Sequence, residues 1–165
     1  MEDELVDIVS DEDVVIGIEK KSRLYEKGLA NFRVINAFLI NDAGKLWIPR
    51  RHPNKKLFPL HLDASVGGHV RSGESYEEAL IRETAEELNI ALTAYRMLAI
   101  LNPKRHGTSA FMHVYAIDTN EVPAYNPHDF VEALWLSPQE LLDLLARGEK
   151  AKDDLPIIVK TIWKL

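Results

Sequence analysis

The chain contains no cysteine. That excludes disulfide staples, a thiolate zinc site and a cysteine nucleophile. Long apolar runs are missing too. None approaches the ~20 residues needed to span a bilayer, so no membrane segment is expected. The opening residues, MEDELVDIV, lack the basic start of a signal peptide, and a cytoplasmic protein is the expectation. Positive charge is in the minority: 20 Lys and Arg stand against 26 Asp and Glu, a net charge of −6. This disfavours nonspecific binding to long nucleic acid. It does not disfavour a small phosphorylated ligand, because a metal ion and a few local cations decide that. Repeats, low-complexity stretches and interdomain linkers are absent as well. What is present, 165 residues with 46% hydrophobic and 28% charged content, suits one domain with a real core.

The densest chemistry lies in residues 67–90, GGHVRSGESYEEALIRETAEELNI, with six Glu between Glu74 and Glu87. A helix is expected over 75–88. Ser75 and Glu78 fit a capping box, in which each side chain satisfies a free N–H at the helix start. Asn89 tolerates the left-handed turn that closes a helix. At about 100° per residue, Arg82, Glu83, Glu86 and Glu87 share an arc of roughly 140°. Leu80, Ile81, Thr84, Ala85 and Leu88 fall on the other side and are assigned to the core. Carboxylates crowded at this spacing repel one another. Arg82 or a divalent cation can offset that. Mg²⁺ favours carboxylate oxygens, retained waters and substrate phosphates, so an acidic face beside Gly67 and Gly68 suits a Mg²⁺–phosphate site.

Strands are expected at 4–9, 14–19, 33–40, 45–49, 62–66, 95–101, 110–117 and 131–135, with 33–49 forming a hairpin. Gly67-Gly68 is read as a turn, 102–107 as a basic loop and 20–31 as a short helix or loop. Further helices are expected at 137–146, opened by a second capping box, and at 154–164. Strands mixed with three helices suggest a mixed sheet between helical layers.

Gly68, Glu74 and the run Arg82-Glu83-Thr84-Ala85-Glu86-Glu87-Leu88-Asn89-Ile90 resemble the Nudix box, G-x5-E-x7-R-E-U-x-E-E-x-G-U, with all five charged positions intact. Thr84 replaces an aliphatic residue and Asn89 a glycine. Thr84 is expected to bond back to the helix backbone, and Asn89 to adopt the same conformation as Gly at some cost. The resemblance spans roughly residues 32–145. It implies an α/β/α sandwich with a mixed β-sheet. Residues 1–31 would add N-terminal strands and 146–165 a C-terminal helix to a single domain over 1–165. It also implies Mg²⁺- or Mn²⁺-dependent hydrolysis of nucleoside diphosphate derivatives. By position, Glu83, Glu86 and Glu87 would hold the metal, Glu74 and Arg82 would support them, and one of these glutamates or a later carboxylate would act as general base.

Arg50, Arg51, Lys55 and Lys56 cluster after a strand, and Arg offers a bidentate fork to phosphate. Arg50, Arg51 and Lys55, with the backbone at Gly67 and Gly68, are the expected substrate contacts. Lys104 and Arg105 form a second basic loop. His69, Asp129 and Glu132 are candidate extra ligands, and Trp47, Phe58 and Tyr125 are candidate stacking residues, with core packing the alternative for Trp47. The run WIPRR…FP..LDASVGGH…GES is similar to the branch that includes isopentenyl-diphosphate isomerases. Those enzymes use a cysteine two residues before the His of this segment, where Gly67 stands here. The expectation is therefore a hydrolase releasing a nucleoside monophosphate, as a monomer or homodimer. An isomerase-like enzyme, a non-catalytic nucleotide-binding module and an RNA-cap hydrolase are the alternatives.

Overall fold

The structure, a computed structural model, describes residues 3–165. In chain order the elements are β1 (Leu5–Val9), β2 (Val15–Lys20), α1 (Lys21–Glu26), β3 (Arg33–Ile40), β4 (Leu46–Arg51), β5 (Val66–His69), α2 (Tyr76–Leu88), β6 (Arg96–Leu101), α3 (Pro103–His106), β7 (Phe111–Asp118), β8 (Phe130–Leu136), α4 (Pro138–Ala146) and α5 (Asp154–Trp163). Six strands form one mixed sheet in the order β6-β7-β3-β4-β8, with β5 also paired to β3. β3 and β7 are parallel over their whole length, from Arg33↔Phe111 to Ile40↔Asp118. β1 and β2 form a separate antiparallel pair.

Side-chain alternation along β3 divides the core into two layers. Ile35, Ala37 and Leu39 pack with Tyr76, Ala79, Leu80 and Leu88 of α2. Phe38 packs on the opposite face with Leu141 of α4 and Leu155, Ile158 and Val159 of α5. The expected α/β/α sandwich with a mixed sheet is therefore the observed architecture. Among the described residues no helix is long and apolar enough to cross a membrane.

The sheet is forked where the sequence suggested a plain hairpin. β3 and β4 pair only at Ile40↔Leu46. β5 takes the same edge of β3 from Val34↔His69 to Ala37↔Val66, while β4 runs on to pair with β8. Ser65, fully buried, bridges the fork: its hydroxyl accepts from the Leu39 N–H at 2.9 Å and donates to the Trp47 carbonyl at 2.5 Å. One side chain thus replaces ladder bonds that the splayed strands lose, as buried backbone groups require.

Other expectations need correction. Gly67 and Gly68 lie within β5 rather than in a turn. The basic segment after Asn102 closes into the short helix α3, because Asn102 caps it and Gly107 ends it at φ 75°. Short α1 occupies part of the segment left open at 20–31. Ile81 and Ala85 are exposed, and the buried face of α2 is Tyr76, Ala79, Leu80, Thr84 and Leu88. The Thr84 hydroxyl is buried with no hydrogen-bond partner, so it does not bond back to the helix.

The β1–β2 pair is stitched to the turn before α2. Buried Asp7 accepts from the Ser72 hydroxyl at 2.8 Å and the Gly73 N–H at 3.1 Å. On this side the His69 ring stacks on Phe32, with ring centres 5.4 Å apart, and its Nε2 lies 3.1 Å from the Tyr25 hydroxyl. Burial pushes the imidazole down to about 3 from an ordinary 6.5. The native state thus resists a proton that the unfolded chain accepts below pH 6.5, so stability is complete above that pH and falls as acid is added. Urea unfolding of the native protein should lose about 1 kcal/mol more than His69→Gln between pH 7.5 and pH 5.5. Equal losses would show that His69 is not held neutral.

Candidate active site

The site is built on α2. The helix starts on the expected capping box, with Ser75 accepting from the Glu78 N–H and the Glu78 carboxylate accepting from the Ser75 N–H. It ends at Asn89, in the left-handed conformation at φ 56°. Each device is worth on the order of 1 kcal/mol or less. Together they fix which turn each glutamate occupies. The Asn89 side chain also donates to the Ala124 carbonyl at 2.5 Å, and the Asn126 N–H donates to the Glu87 carbonyl at 2.7 Å. The segment before β8 is therefore pinned to the end of the helix, which brings Asp129 towards Glu87.

Arg82 is the counter-charge. Its Nε and Nη2 donate to the two oxygens of Glu74 at 2.8 and 2.9 Å, a bidentate pair. Nη1 donates to Glu83 at 2.8 Å and lies 3.5 Å from Glu86. Nη2 also donates to the His69 carbonyl at 3.1 Å. Burial would raise the Glu74 carboxyl, but the bonds and charge of Arg82 outweigh it and hold Glu74 below the usual carboxylate range. Glu74 additionally accepts from the Arg71 N–H, so it acts as an anchor between helix and loop.

Glu83 and Glu87 are different. Burial raises the Glu83 carboxyl, with Arg82 opposing. Burial pushes Glu87 well above the usual range. The negative charge of Glu83 and a hydrogen bond to it push the same way, and Asp63 and Asp129 are close enough to add to the effect. Both carboxyls are thus harder to ionise than free ones, Glu87 most of all. Both side chains keep some contact with solvent, so this crowding belongs to a cleft rather than a sealed interior. Glu86 is the open member, with its side chain 53% exposed.

Gly68 makes the room. A Cβ at this position would stand 2.3 Å from the carboxyl carbon and one oxygen of Glu83. A Cβ at Gly67 would stand 2.9 Å from the Asn36 side-chain oxygen. Strand alternation aims position 68 at α2 and His69 away from it, and the His69 ring is taken up by Phe32 and Tyr25.

The basic loop is engaged with protein groups. Arg50 pairs with Glu132 at 2.5 Å and with Glu149. Arg51 pairs with Asp63 at 2.9 Å and donates to the carbonyls of Leu57 and Phe58. Lys55 pairs with Asp129 at 2.6 Å. Glu132 is thus the cross-strand partner of Arg50, also in register. Trp47 is buried against Tyr125 and Phe130. Lys104 and Arg105 lie on α3. Asp63 was not foreseen. It is 6% exposed, and the only hint was a lone acid in the apolar run LDASV.

Among the described residues, no three acidic or imidazole groups are already drawn together at ligand spacing. The donor set nonetheless fits a hard divalent cation. Glu83 and Glu87 are crowded acids whose charge a cation would offset, Glu86 is the exposed member, and the glycine cradle admits Glu83.

Comparison with known proteins agrees with this arrangement. A family profile described as the NUDIX domain matches residues 30–157. The chain is 51% identical over 162 residues to an uncharacterised Nudix hydrolase of Nostoc, covering 97% of this chain and 96% of that one. It is 45% identical over 166 residues to a Nudix hydrolase of Deinococcus radiodurans, covering 98% and 95%. A crystal structure of a Deinococcus radiodurans protein superposes with a TM-score of 0.90 at 45% identity, covering 97% of this chain and 99% of that chain. The chain belongs to the Nudix hydrolase family, whose members act on pyrophosphate bonds.

Proposed function

We propose that the protein is a Mg²⁺- or Mn²⁺-dependent pyrophosphohydrolase. It would cleave a nucleoside di- or triphosphate, or a related nucleoside diphosphate derivative, and release a nucleoside monophosphate. The observation that carries this reading is the Glu83–Glu87 pair in the cleft beneath Gly68. Two acids crowded together in a partly buried cleft gain most from a divalent cation, because it offsets both their repulsion and the penalty of burial.

Glu83, Glu86 and Glu87 hold the metal in this reading. Glu74 and Arg82 fix the pitch at which Glu83 is offered. A bound Mg²⁺ would neutralise the diphosphate, acidify an attacking water and stabilise charge on the leaving oxygen. The water oxygen bonds to phosphorus, the phosphoanhydride P–O bond breaks, and the water's proton passes to a carboxylate of the cluster. Asp129, close to Glu87 and outside the three proposed ligands, would serve as that base. Lys55 uses one of its three N–H donors on Asp129. It is the loop cation best placed to add a phosphate contact. Arg50 and Arg51 line the same loop with most of their donors already committed. Isomerase chemistry of the cysteine-dependent kind is closed to a chain without cysteine.

Three substitutions test this. Glu87→Gln should lower kcat for nucleoside diphosphate hydrolysis by at least about 100-fold. The metal-free variant should be as stable as the native protein or more so, since a crowded acid is gone. Mg²⁺ at a hundredfold excess over its Kd should stabilise the native protein by about 2.7 kcal/mol and Glu87→Gln far less. A variant that unfolds, or that keeps full Mg²⁺ stabilisation, removes Glu87 from the metal site. Gly68→Ala should fold, because β5 accepts alanine, yet lose most of kcat as Glu83 is displaced; unchanged kcat would refute the cradle. Arg82→Ala, which strands Glu74 and Glu83 together, should destabilise the fold by about 3 kcal/mol in chemical denaturation.

A further inference from the structure

Residues 52–61, between β4 and Leu62, are the segment least explained by diphosphate chemistry. Phe58 and Leu60 have φ of 51° and 61°, a region that side chains other than glycine avoid. The same corner carries three apolar side chains. Leu57 and Leu60 are 45% and 49% exposed, and the Phe58 ring meets only His61 edge-on among the described aromatic groups. Single exposed leucines need no explanation. These are different, because the backbone that presents them is held in an unfavourable shape.

What holds it comes from the site. Arg51 Nε donates to the Leu57 carbonyl at 3.1 Å and to the Phe58 carbonyl at 3.2 Å, and Nη2 donates to the Leu57 carbonyl at 3.0 Å. Arg50 Nη1 donates to the Leu60 carbonyl at 3.1 Å. The same Arg51 guanidinium grips Asp63, and Lys55 grips Asp129. The Asp129 N–H donates to the Asn126 carbonyl at 2.9 Å, and the Asn126 N–H donates to the Glu87 carbonyl at 2.7 Å. The corner is therefore tied, through Lys55 and Asp129, to the segment pinned on the end of α2. Strained backbone of this kind persists only where its surroundings over-determine it, and it concentrates at ligand clamps.

We infer that this corner is the seat of the substrate's non-phosphate part: Leu57, Phe58 and Leu60 form an apolar wall for a nucleobase, and Arg51 is the positioning residue that folds it. This rests on the reading of the acid cluster as a diphosphate site. A flat base offers the face that an aromatic ring and two leucines can cover. Its diphosphate end would be held by the acid cluster on α2. Arg51 then acts through carbonyl oxygens rather than on phosphate, which is why a guanidinium fork, and not an ammonium, stands there.

The test separates base from phosphate. Steady-state kinetics on nucleoside diphosphates would be run beside inhibition by methylenediphosphonate, which has no base, both with Mg²⁺. Phe58→Ala should raise nucleotide KM about tenfold, with kcat within twofold and methylenediphosphonate inhibition unchanged. Arg51→Lys should behave the same way. Leu60→Gly relieves the φ strain, so it should raise Tm while raising KM, a combination that a purely structural loop would not produce. Unchanged nucleotide KM in Phe58→Ala and Leu60→Gly, with inhibition by the diphosphonate intact, overturns the wall alone. Failure of the native protein to bind methylenediphosphonate with Mg²⁺ overturns the diphosphate site beneath it.

Discussion

One guanidinium makes the rest of the site possible. Arg82 meets both oxygens of Glu74, one oxygen of Glu83 and the His69 carbonyl. Without it, Glu74 and Glu83 would stand as uncompensated acids in a half-buried cleft, each costing several kcal/mol. The geometry also divides the labour. Glu74 receives two of the bonds and is pinned as a carboxylate. Glu83 receives one and keeps an oxygen for Glu87. Glu87 receives none from Arg82, and burial beside Glu83 holds its carboxyl well above the usual range. Compensation by Arg82 thus falls away along α2, from the closed Glu74 ion pair to Glu87.

The forked sheet serves the same end. Had β3 and β4 formed an uninterrupted hairpin, β5 would have had no edge beside α2, and Gly68 could not have met Glu83. The buried Ser65 hydroxyl holds the fork by bonding to both arms. A further consequence is that β4 leaves β3 to pair with β8, which sets Arg50 opposite Glu132. The loop after β4 then meets the segment before β8, where Lys55 pairs with Asp129.

Features set by local chemistry were legible in the sequence. Both long capped helices, the strand over 33–40 and the acidic face of α2 follow from capping residues, periodicity and spacing. The family followed from charged positions at fixed intervals. Features set by long-range pairing were not legible. Gly67-Gly68 looks like a turn unless one knows that a neighbouring helix needs the missing Cβ. A hydrophobic pattern cannot announce that a hairpin forks, and Asp63 is a lone acid until Arg51 and Glu87 surround it. Ile81 and Ala85 were misassigned because helical periodicity gives an arc but not how much of it the sheet covers. The basic residues after β4 were visible as a cluster. Their commitment to carbonyls and carboxylates depends on a left-handed corner that no propensity favours at Phe58 and Leu60.

Several departures from local preference concern the acid cluster and the loop after β4, and that is itself an argument about function. Phe58 and Leu60 carry strained backbone, Glu83 and Glu87 are acids whose burial is penalised, and Gly68 admits the Glu83 side chain. Strain of this kind costs on the order of 1–3 kcal/mol at each residue. It is tolerated because two apolar layers on either face of β3 are fully formed and do not depend on the loop. The buried, unpartnered Thr84 hydroxyl is a smaller instance on the core side of the same helix. A fold with no task at this cleft would relax it, with a leucine or alanine in place of Glu87 and a glycine in place of Leu60. That the chain keeps acids where burial penalises them and bulky residues where glycine would fit is what a cation and a substrate would account for together. Neither alone explains both halves of the cleft.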